Sequence, residues 1–182
     1  DLHDMIRYQA DMIPTMARYA NFGTVRSKGV ELDIKGDAAP ILYLYANATF
    51  QDLRDHREHE NGSEAANPTY NKRMPNIPYI LTNGGLEFHK ANLFGGENQN
   101  SRFLVDASYI HEYFYDFEMS KYQDRKIPSS FTIDAGLEHS FKDDSFILSF
   151  KVKNLTDKIV YSELNRPLPG RNFSFKFRYV MK

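Results

Sequence analysis

The sequence predicts an all-β protein, an antiparallel meander of about eight strands with one apolar and one polar face. Three observations lead to this prediction: apolar residues recur at every second position, no segment has a helical pattern, and short connections alternate with long ones. The closing stretch NFSFKFRYVMK shows the alternation best, with these residues on one side: Phe173, Phe175, Phe177, Tyr179 and Met181. A period of two is typical of a strand whose faces meet different surroundings.

Six earlier segments repeat this pattern. They cover about residues 25–35, 41–50, 79–89, 103–109, 131–141 and 146–153. In the first of them, Val30 and Leu32 alternate with Glu31 and Asp33. The opening stretch DLHDMIRYQ is expected to end an earlier strand.

The connections differ in length in a regular order. GDAAP (36–40) and KDDS (142–145) have the residues of tight turns, and NLFGGENQNS (92–101) is intermediate. Three segments, at about residues 52–76, 117–128 and 161–171, are long and polar. In a meander this order places the short turns at one end and the long loops at the other, as in a transmembrane β-barrel. A soluble sandwich or lipocalin-like barrel, with its apolar face turned inward, is the alternative that the pattern leaves open.

Composition excludes several classes of protein. The 182 residues include 23 basic and 24 acidic ones, and a formal net charge of −1 gives no electrostatic basis for binding nucleic acid. The absence of cysteine excludes disulfides and thiolate metal sites. The apolar runs are much shorter than the ~20 residues of a spanning helix. Since the chain opens on Asp1 without Met or a signal peptide, we expect a piece of a longer protein rather than a processed product.

Four motifs occur in order along the chain. The first, in YANFGTVRSKGVELDIKGD (19–37), comprises Asn21, Gly23, Gly29, Val30 and Glu31. The second, RMPNIPYILTNGGLEF (73–88), contains Arg73, Pro75 and Pro78. The third, FILSFKVKNLTDKIVY (146–161), contains Val152, Asn154, Leu155, Thr156, Asp157, Lys158 and Tyr161. In the fourth, Pro169, Gly170 and Arg171 precede the closing strand. Together the motifs resemble the barrel strands of TonB-dependent outer-membrane receptors.

The resemblance implies a fold and a transport function. Residues 1–182 would be the C-terminal segment of a 22-stranded transmembrane β-barrel, with the plug domain and the TonB box absent from this chain. The whole protein would be a multi-pass receptor in the outer membrane of a Gram-negative bacterium. It would import a scarce solute, a ferric siderophore or other metal chelate, with energy from TonB. The alternative is a stand-alone porin-like or lipid-handling β-barrel binding protein without TonB coupling.

The resemblance also implies partners and structural residues. The partners are the TonB energy-transducing complex, outer-membrane lipid and a small-molecule substrate such as a ferric chelate. No cofactor is implied. The motif positions expected to have structural roles are Asn21, Gly23, Gly29, Glu31, Asn154, Leu155, Asp157, Gly170 and Arg171.

Two loops supply the candidate ligand-binding residues. His56 and His59 lie in DHREHEN (55–61), and Tyr113 and Tyr115 lie in YIHEYFYDF (109–117). Imidazole and carboxylate groups suit divalent metals, but no helix fixes both imidazoles, so no metal site is predicted. A solvated charged loop is the alternative for the histidines, and an interfacial aromatic girdle for the tyrosines. No Ser/His/Asp triad, P-loop or dinucleotide fingerprint occurs, and no enzyme activity is predicted.

Two expectations concern the faces of the sheet. Cationic side chains of the polar face are expected to form ion pairs with neighbouring carboxylates; the cations are Lys151, Lys153, Lys176 and Arg178, and the carboxylates are Asp134, Glu138 and Glu31. In a structure of this chain alone, Phe173, Phe175 and Phe177 are expected to be covered, by curling of the strands or by a second copy, because a large apolar patch in water drives association.

Overall fold

The structure, a computed structural model, describes residues 1, 3, 6–9, 18–21, 23–60, 64–117 and 125–181. Its strands are β1 (Ile6–Gln9), β2 (Arg18–Asn21), β3 (Val25–Ala39), β4 (Leu42–Asp55), β5 (Ile80–Ala91), β6 (Asn100–Ile110), β7 (Tyr113–Phe114), β8 (Lys126–Ile127), β9 (Ser130–Phe141), β10 (Phe146–Lys153), β11 (Tyr161–Glu163), β12 (Arg166–Pro167) and β13 (Asn172–Tyr179). Within these ranges no helix has the length and apolar character needed to cross a membrane.

Seven of the strands form one antiparallel sheet in the order β13–β10–β9–β6–β5–β4–β3. Strands that follow one another along the chain are neighbours in this sheet, apart from three separate pairs, β1–β2, β7–β8 and β11–β12. The predicted all-β antiparallel meander is therefore confirmed. The predicted strand in the opening stretch is Ile6–Gln9, which pairs with Arg18–Asn21.

One predicted turn lies elsewhere. The chain reverses at residues 40–41 instead of across GDAAP, because β3 continues to Ala39 through an irregularity after Asp37. Gly36, Asp37 and Ala38 have weak strand preference, but pairing with β4 keeps this segment beside the ladder. Three short connections, β3–β4, β5–β6 and β9–β10, lie at one end of the sheet, which we call the short-turn end. The connections 56–79, 111–129 and 154–171 lie at the other, the long-loop end.

One face of the sheet is apolar across its width. Pairing in register places one residue from each of six strands in a single row: Leu42, Phe88, Phe103, Leu137, Phe150 and Phe175. Neighbouring rows add Val30, Leu32, Ile34, Phe50, Phe131 and Phe173. We call this the apolar face and its opposite the polar face. Leu137 is 53% exposed, so none of the described segments forms a second layer over it on the apolar face.

The closing aromatic residues are exposed. Phe173, Phe175 and Phe177 have exposed fractions of 64%, 70% and 58%. The strands of this chain therefore do not curl over the three rings, and that part of the expectation is wrong, whereas coverage by a second copy stays a prediction. The physical reason is that β13 is an edge strand of a sheet that stays open within the described residues, and seven strands at the curvature of a large barrel do not close on themselves.

Hydrogen bonds connect side chains across the polar face. Asn83 Nδ2 donates to Asn47 Oδ1 at 3.0 Å, and Ser108 Oγ donates to Asn83 Oδ1 at 2.7 Å. Tyr45 of β4 reaches over β5 and donates from its hydroxyl to Asp106 Oδ1 of β6 at 2.7 Å. Asn47, Asn83 and Ser108 form what we call the polar ladder.

The ion pairs expected on this face do not form between the seven charged residues, all of which the structure describes, so that expectation is wrong. Glu138 accepts a hydrogen bond from Ser149 Oγ at 2.8 Å, and Asp134 accepts one from the backbone N–H of Asn154 at 2.8 Å. Glu31 lies in β3 and Lys176 in β13, at opposite edges of the sheet. Alternation places these residues on the same face, but it cannot show which of them are neighbours across strands.

A small hydrophobic core lies at the long-loop end. Val25, Met74 and Phe117 are buried together, with Leu53 and Ile77 packed against them. The cluster joins the strands β3 and β4 to two of the long connections. It therefore fixes where those connections lie against the sheet.

Candidate functional site at the long-loop end

Asp55, the last residue of β4, is the buried centre of the connection 56–79. Its side chain is fully buried, with a relative exposure of 0%. Arg57 Nη2 donates to Oδ2 at 2.8 Å and Arg57 Nε to Oδ1 at 3.0 Å. Asn67 Nδ2 donates to Oδ2 at 2.9 Å, and Thr69 Oγ1 donates to the same oxygen at 2.6 Å. One carboxylate therefore ties together both limbs of the connection.

This environment keeps Asp55 ionised. Burial disfavours the charged carboxylate, but hydrogen bonds from Arg57, Thr69 and Asn67 outweigh that effect, and the pKa of Asp55 lies below its ordinary value. The residue lies beyond the apolar rows of the sheet, at the start of the connection. The connection is thus organised by a buried anion that is charged at neutral pH.

The sequence interpretation missed this organisation. It treated residues 52–76 as nearly without structure, whereas Arg54 pairs with Arg73 and His59 with Ala66 in isolated antiparallel bridges. The sequence did contain one signal. Asp55, Asn67 and Thr69 are residue types that bond to nearby backbone and side chains in turns.

The third and fourth motifs meet in the connection 154–171. The side chain of Asn154 donates to the carbonyl of Lys158 at 2.7 Å and accepts from its backbone N–H at 3.0 Å. Asp157 Oδ1 accepts the backbone N–H of Arg171 at 2.8 Å. A Cβ at Gly170 would lie 2.7 Å from Asp157 Oδ1, so a residue without Cβ fits best at that position. Two motifs that are separate in the sequence thus form one structural unit.

The first motif occupies β2, β3 and the residues between them. Asn21 ends β2, and Gly23 follows with a φ of 78°, a backbone conformation that favours glycine. A Cβ at Gly29 would lie 2.6 Å from the carbonyl oxygen of Phe50, so the close approach of β4 requires glycine there. Glu31 is exposed on the polar face.

The two candidate histidines have different neighbours. The ring of His56 lies 5.7 Å from that of Tyr70, and its backbone N–H donates to the carbonyl of Thr24 at 3.0 Å. His59 is exposed, with Nδ1 3.2 Å from the carbonyl oxygen of Glu64. Across the residues that the structure describes, no group of three or more His, Asp or Glu side chains is arranged to hold a metal ion.

The two candidate tyrosines lie in and beside β7. Tyr113 is 8% exposed, and its hydroxyl donates to the carbonyl of Ser162 at 3.3 Å. Tyr115 has its backbone N–H 3.2 Å from the carbonyl of Arg125, and its own carbonyl accepts from Asn76 Nδ2 at 3.2 Å. The structure does not bring the candidate tyrosines and histidines into one cluster. Their role in ligand binding remains a prediction.

Hydrogen bonds join the three long connections into one continuous rim. The backbone N–H of Asn76 donates to the carbonyl of Phe114 at 2.7 Å, which links 56–79 to 111–129. The bond from Tyr113 to Ser162 links 111–129 to 154–171. The polar face of the sheet and this rim both present polar groups to a solute.

Aromatic residues mark the margin between the apolar face and the rim. The rings of Tyr79 and His111 lie 4.8 Å apart in an edge-to-face arrangement. The hydroxyl of Tyr109 lies 2.8 Å from Nδ1 of the same imidazole. The Arg73 guanidinium lies 4.1 Å from the centre of the Tyr79 ring. Tyr109 and His111 of this row belong to the aromatic stretch 109–117, for which an interfacial girdle remains a prediction.

Comparison with known proteins gives a family and a fold. The family model described as "TonB dependent receptor-like, beta-barrel" matches residues 1–155. No curated protein sequence matches the chain.

Three solved structures have the same strand arrangement. BauA, the ferric preacinetobactin receptor from Acinetobacter baumannii, superposes with a TM-score of 0.66 at 14% identity, over 94% of this chain and 24% of that one. The siderophore receptor PiuA from Acinetobacter baumannii superposes with a TM-score of 0.58 at 16% identity, over 88% of this chain and 21% of that one. The ferric yersiniabactin uptake receptor FyuA from Yersinia pestis superposes with a TM-score of 0.61 at 16% identity, over 87% of this chain and 23% of that one. The chain thus spans about a quarter of the length of these receptors.

Proposed function

Because the chain belongs to the TonB-dependent receptor-like β-barrel family, we propose that it is the C-terminal barrel segment of an outer-membrane receptor that imports a ferric siderophore or a related metal chelate. The whole receptor uses energy from TonB, which acts on a plug domain outside these 182 residues. The barrel it contributes to has 22 strands, the number that the family resemblance implies.

The two-faced sheet is the observation that carries this proposal. Along β9 the apolar side runs from Phe131 to Phe141, ten residue steps or ~33 Å, which a strand tilt of ~40° reduces to ~25 Å. That height matches the apolar band of ~25 Å that outer-membrane barrels turn toward lipid. The polar ladder then faces the lumen, and the rim of long connections faces the outside.

A chelated ferric ion is the proposed solute. Its support is the function of the structural neighbours: a ferric preacinetobactin receptor, a siderophore receptor and a ferric yersiniabactin uptake receptor. Of the candidate residues, His59 is exposed and available to a solute at the rim. Tyr113 is covered, and contact with a solute requires its connection to move.

The test is uptake by cells that carry or lack the gene for the whole receptor. Under iron limitation, cells with the gene are expected to accumulate radiolabelled iron from a panel of ferric siderophores, and cells without it are not. Deleting tonB or adding a protonophore is expected to abolish this uptake. Uptake that persists without TonB would support the alternative, a porin-like or lipid-handling barrel.

A further inference from the structure

Charged side chains continue the apolar face beyond its long-loop margin. Along β3, Lys28 and Arg26 lie on the same side of the strand as Val30, because side chains alternate between faces. Opposite them in register are Asp52 and Arg54 of β4. The row of apolar side chains thus ends in a charged group, on the face that points away from the polar ladder.

Asp52 holds two arginines in this group. Its Oδ2 accepts from Arg54 Nε at 2.7 Å, and its Oδ1 accepts from Arg73 Nε at 2.9 Å. Arg26 Nε lies 3.1 Å from Asp1 Oδ1. Arg26, Lys28, Arg54 and Arg73 are here called the margin cluster. Four positive side chains meet two carboxylates, so the group carries a net charge of +2.

Three cations of the margin cluster, all but Arg73, border an open recess. The recess has a volume of about 230 Å³ and is lined by Arg26, Lys28, Asp52, Arg54, His56 and Asn71. Its arginines are 37–44% exposed, so their remaining N–H donors are accessible. A small anion can enter it from the side of the apolar face and meet more than one cation.

The position of the margin cluster along the strand decides which anion it meets. Lys28 lies two residues beyond Val30, and Arg26 four. These steps are ~7 and ~13 Å along the strand, or ~5 and ~10 Å along the membrane normal at a tilt of ~40°. The headgroup layer extends ~5–8 Å beyond the hydrocarbon on each side, and long cationic side chains adjust to reach it. The cations therefore lie at the level of lipid phosphates.

We propose that the margin cluster binds the phosphate groups of a lipid headgroup in the outer leaflet. This inference rests on the proposed function, because it requires the apolar face to meet the membrane. A guanidinium binds a phosphate through two parallel N–H bonds, and a lysine adds a point charge. The Arg73 guanidinium stacked on Tyr79 places a cation beside the aromatic girdle, where headgroups lie. The imported solute approaches from the opposite face and is not the ligand of this site.

The test measures lipid binding by the whole receptor, purified in a non-ionic detergent. The probe is lipid A with two phosphate groups, titrated while bound lipid is counted by native mass spectrometry. The same lipid without its phosphates and inorganic phosphate alone are the comparison probes. Wild-type receptor is expected to bind the phosphorylated lipid at least tenfold more tightly than the dephosphorylated one. Binding of inorganic phosphate with no preference between the lipids would overturn the proposal and identify a free anion as the ligand.

Matched variants test the residues. Arg26→Gln/Lys28→Gln removes two cations and leaves the Asp52 pairs with Arg54 and Arg73 in place. It is expected to weaken binding of phosphorylated lipid roughly tenfold or more, since each cation near an anionic lipid surface strengthens binding severalfold. Lys35→Gln/Lys176→Gln makes the same charge change on the polar face and is expected to bind like wild type. Equal binding by both double variants, or equal weakening in both, would refute the site.

Two further measurements keep the result interpretable. Arg26→Lys/Lys28→Arg retains both charges and is expected to restore most of the binding, which a purely structural role would not require. Folding of each variant is checked by the shift in gel mobility on heating that folded outer-membrane barrels show. Siderophore uptake is measured in parallel. Lipid binding without siderophore uptake would contradict the proposed solute but not this lipid site. Siderophore uptake with no preference for phosphorylated lipid would contradict the lipid site alone.

Discussion

The carboxylate of Asp157 accepts the backbone N–H of Arg171 at 2.8 Å, and this bond joins the two ends of the connection between β10 and β13. The Arg171 guanidinium turns back to the carbonyl of Leu155, with an N···O distance of 3.4 Å. The backbone N–H of Leu155 in turn donates to the carbonyl of Ile133 at 2.7 Å. Motif residues on both sides of the connection are thus anchored to β9.

Replacing Asp157 should loosen this connection. Asp157→Ala removes the acceptor and is expected to destabilise the closed conformation by about 1 kcal/mol, the net value of one exposed hydrogen bond. Hydrogen exchange at the Arg171 amide should rise about fivefold. Asp157→Asn keeps an acceptor oxygen at the same position and is the control, with a smaller effect expected. Equal exchange in all three proteins would show that the bond does not hold the connection.

The buried carboxylate of Asp55 should control the connection 56–79. Asp55→Ala leaves Arg57, Asn67 and Thr69 without their shared acceptor and is expected to reduce the free energy of local opening by roughly 3–5 kcal/mol. Limited proteolysis of the whole receptor should then cut within 56–79. Glu58→Ala, which removes an exposed carboxylate from the same connection, is expected to leave cleavage at the wild-type rate.

Acid should open the same connection. The folded-state pKa of Asp55 is depressed below the ~3.9 of an unfolded chain. The stabilisation that ionised Asp55 gives to the closed connection is therefore fully present well above that pH. It is lost as the pH falls through the folded-state pKa. Hydrogen exchange in 56–79 is expected to be constant from pH 7 to about 5, after correction for intrinsic rates. It should increase as the pH drops below about 4. An increase already complete at pH 5 would contradict the depressed pKa.

Gly85 should not tolerate a side chain. A Cβ at this position would lie 2.6 Å from both the Tyr45 ring and Asp106 Oδ1, the two groups that bond across β5 on the polar face. Gly85→Ala is expected to destabilise the barrel by ~1–3 kcal/mol through overpacking, measured as a lower midpoint of urea unfolding in detergent. Gly36→Ala is the matched control, since nothing lies within 4 Å of its added Cβ. Equal midpoints would show that Tyr45 does not lie over β5.

The two faces should differ in their tolerance of charge. Leu137 lies on the apolar face near the middle of β9, and Glu138 is the next residue, on the polar face. Leu137→Arg is expected to cost ~2–4 kcal/mol in membrane assembly if it lies near the bilayer midplane, and Glu138→Arg much less. An assembly assay in which both variants insert equally well would refute the assignment of the faces.

The strands and their faces were predictable because the alternation is local. Phe131 and Phe141 can be assigned to one side by counting, without knowledge of any other strand. The polar-face contacts could not be predicted in this way. The Tyr45–Asp106 bond depends on the register of three strands. The ion pairs expected among the polar-face charges depend on it too: Glu31 and Lys176, for example, lie in opposite edge strands.

The candidate site was predictable only in outline. The motif residues Asp157 and Arg171 were identified by resemblance, but their mutual contact is visible only in the folded connection. The partners of Asp55 lie up to 14 residues away from it, in a segment with no periodicity from which to predict contacts. The margin cluster was not predicted, since Arg26 and Arg73 are far apart in the sequence. Strand register places Arg26 opposite Arg54, and Asp52 binds both Arg54 and Arg73.

The rim of joined connections has an immunological consequence. On the proposed orientation it is the part of the molecule that antibodies on intact cells encounter. Since the bonds of Asn76 to Phe114 and of Tyr113 to Ser162 hold three segments together, an antibody raised against the native receptor should recognise residues from more than one of them. A linear peptide covering 56–79 alone would lack those neighbours, and serum raised against it should bind denatured receptor better than living bacteria.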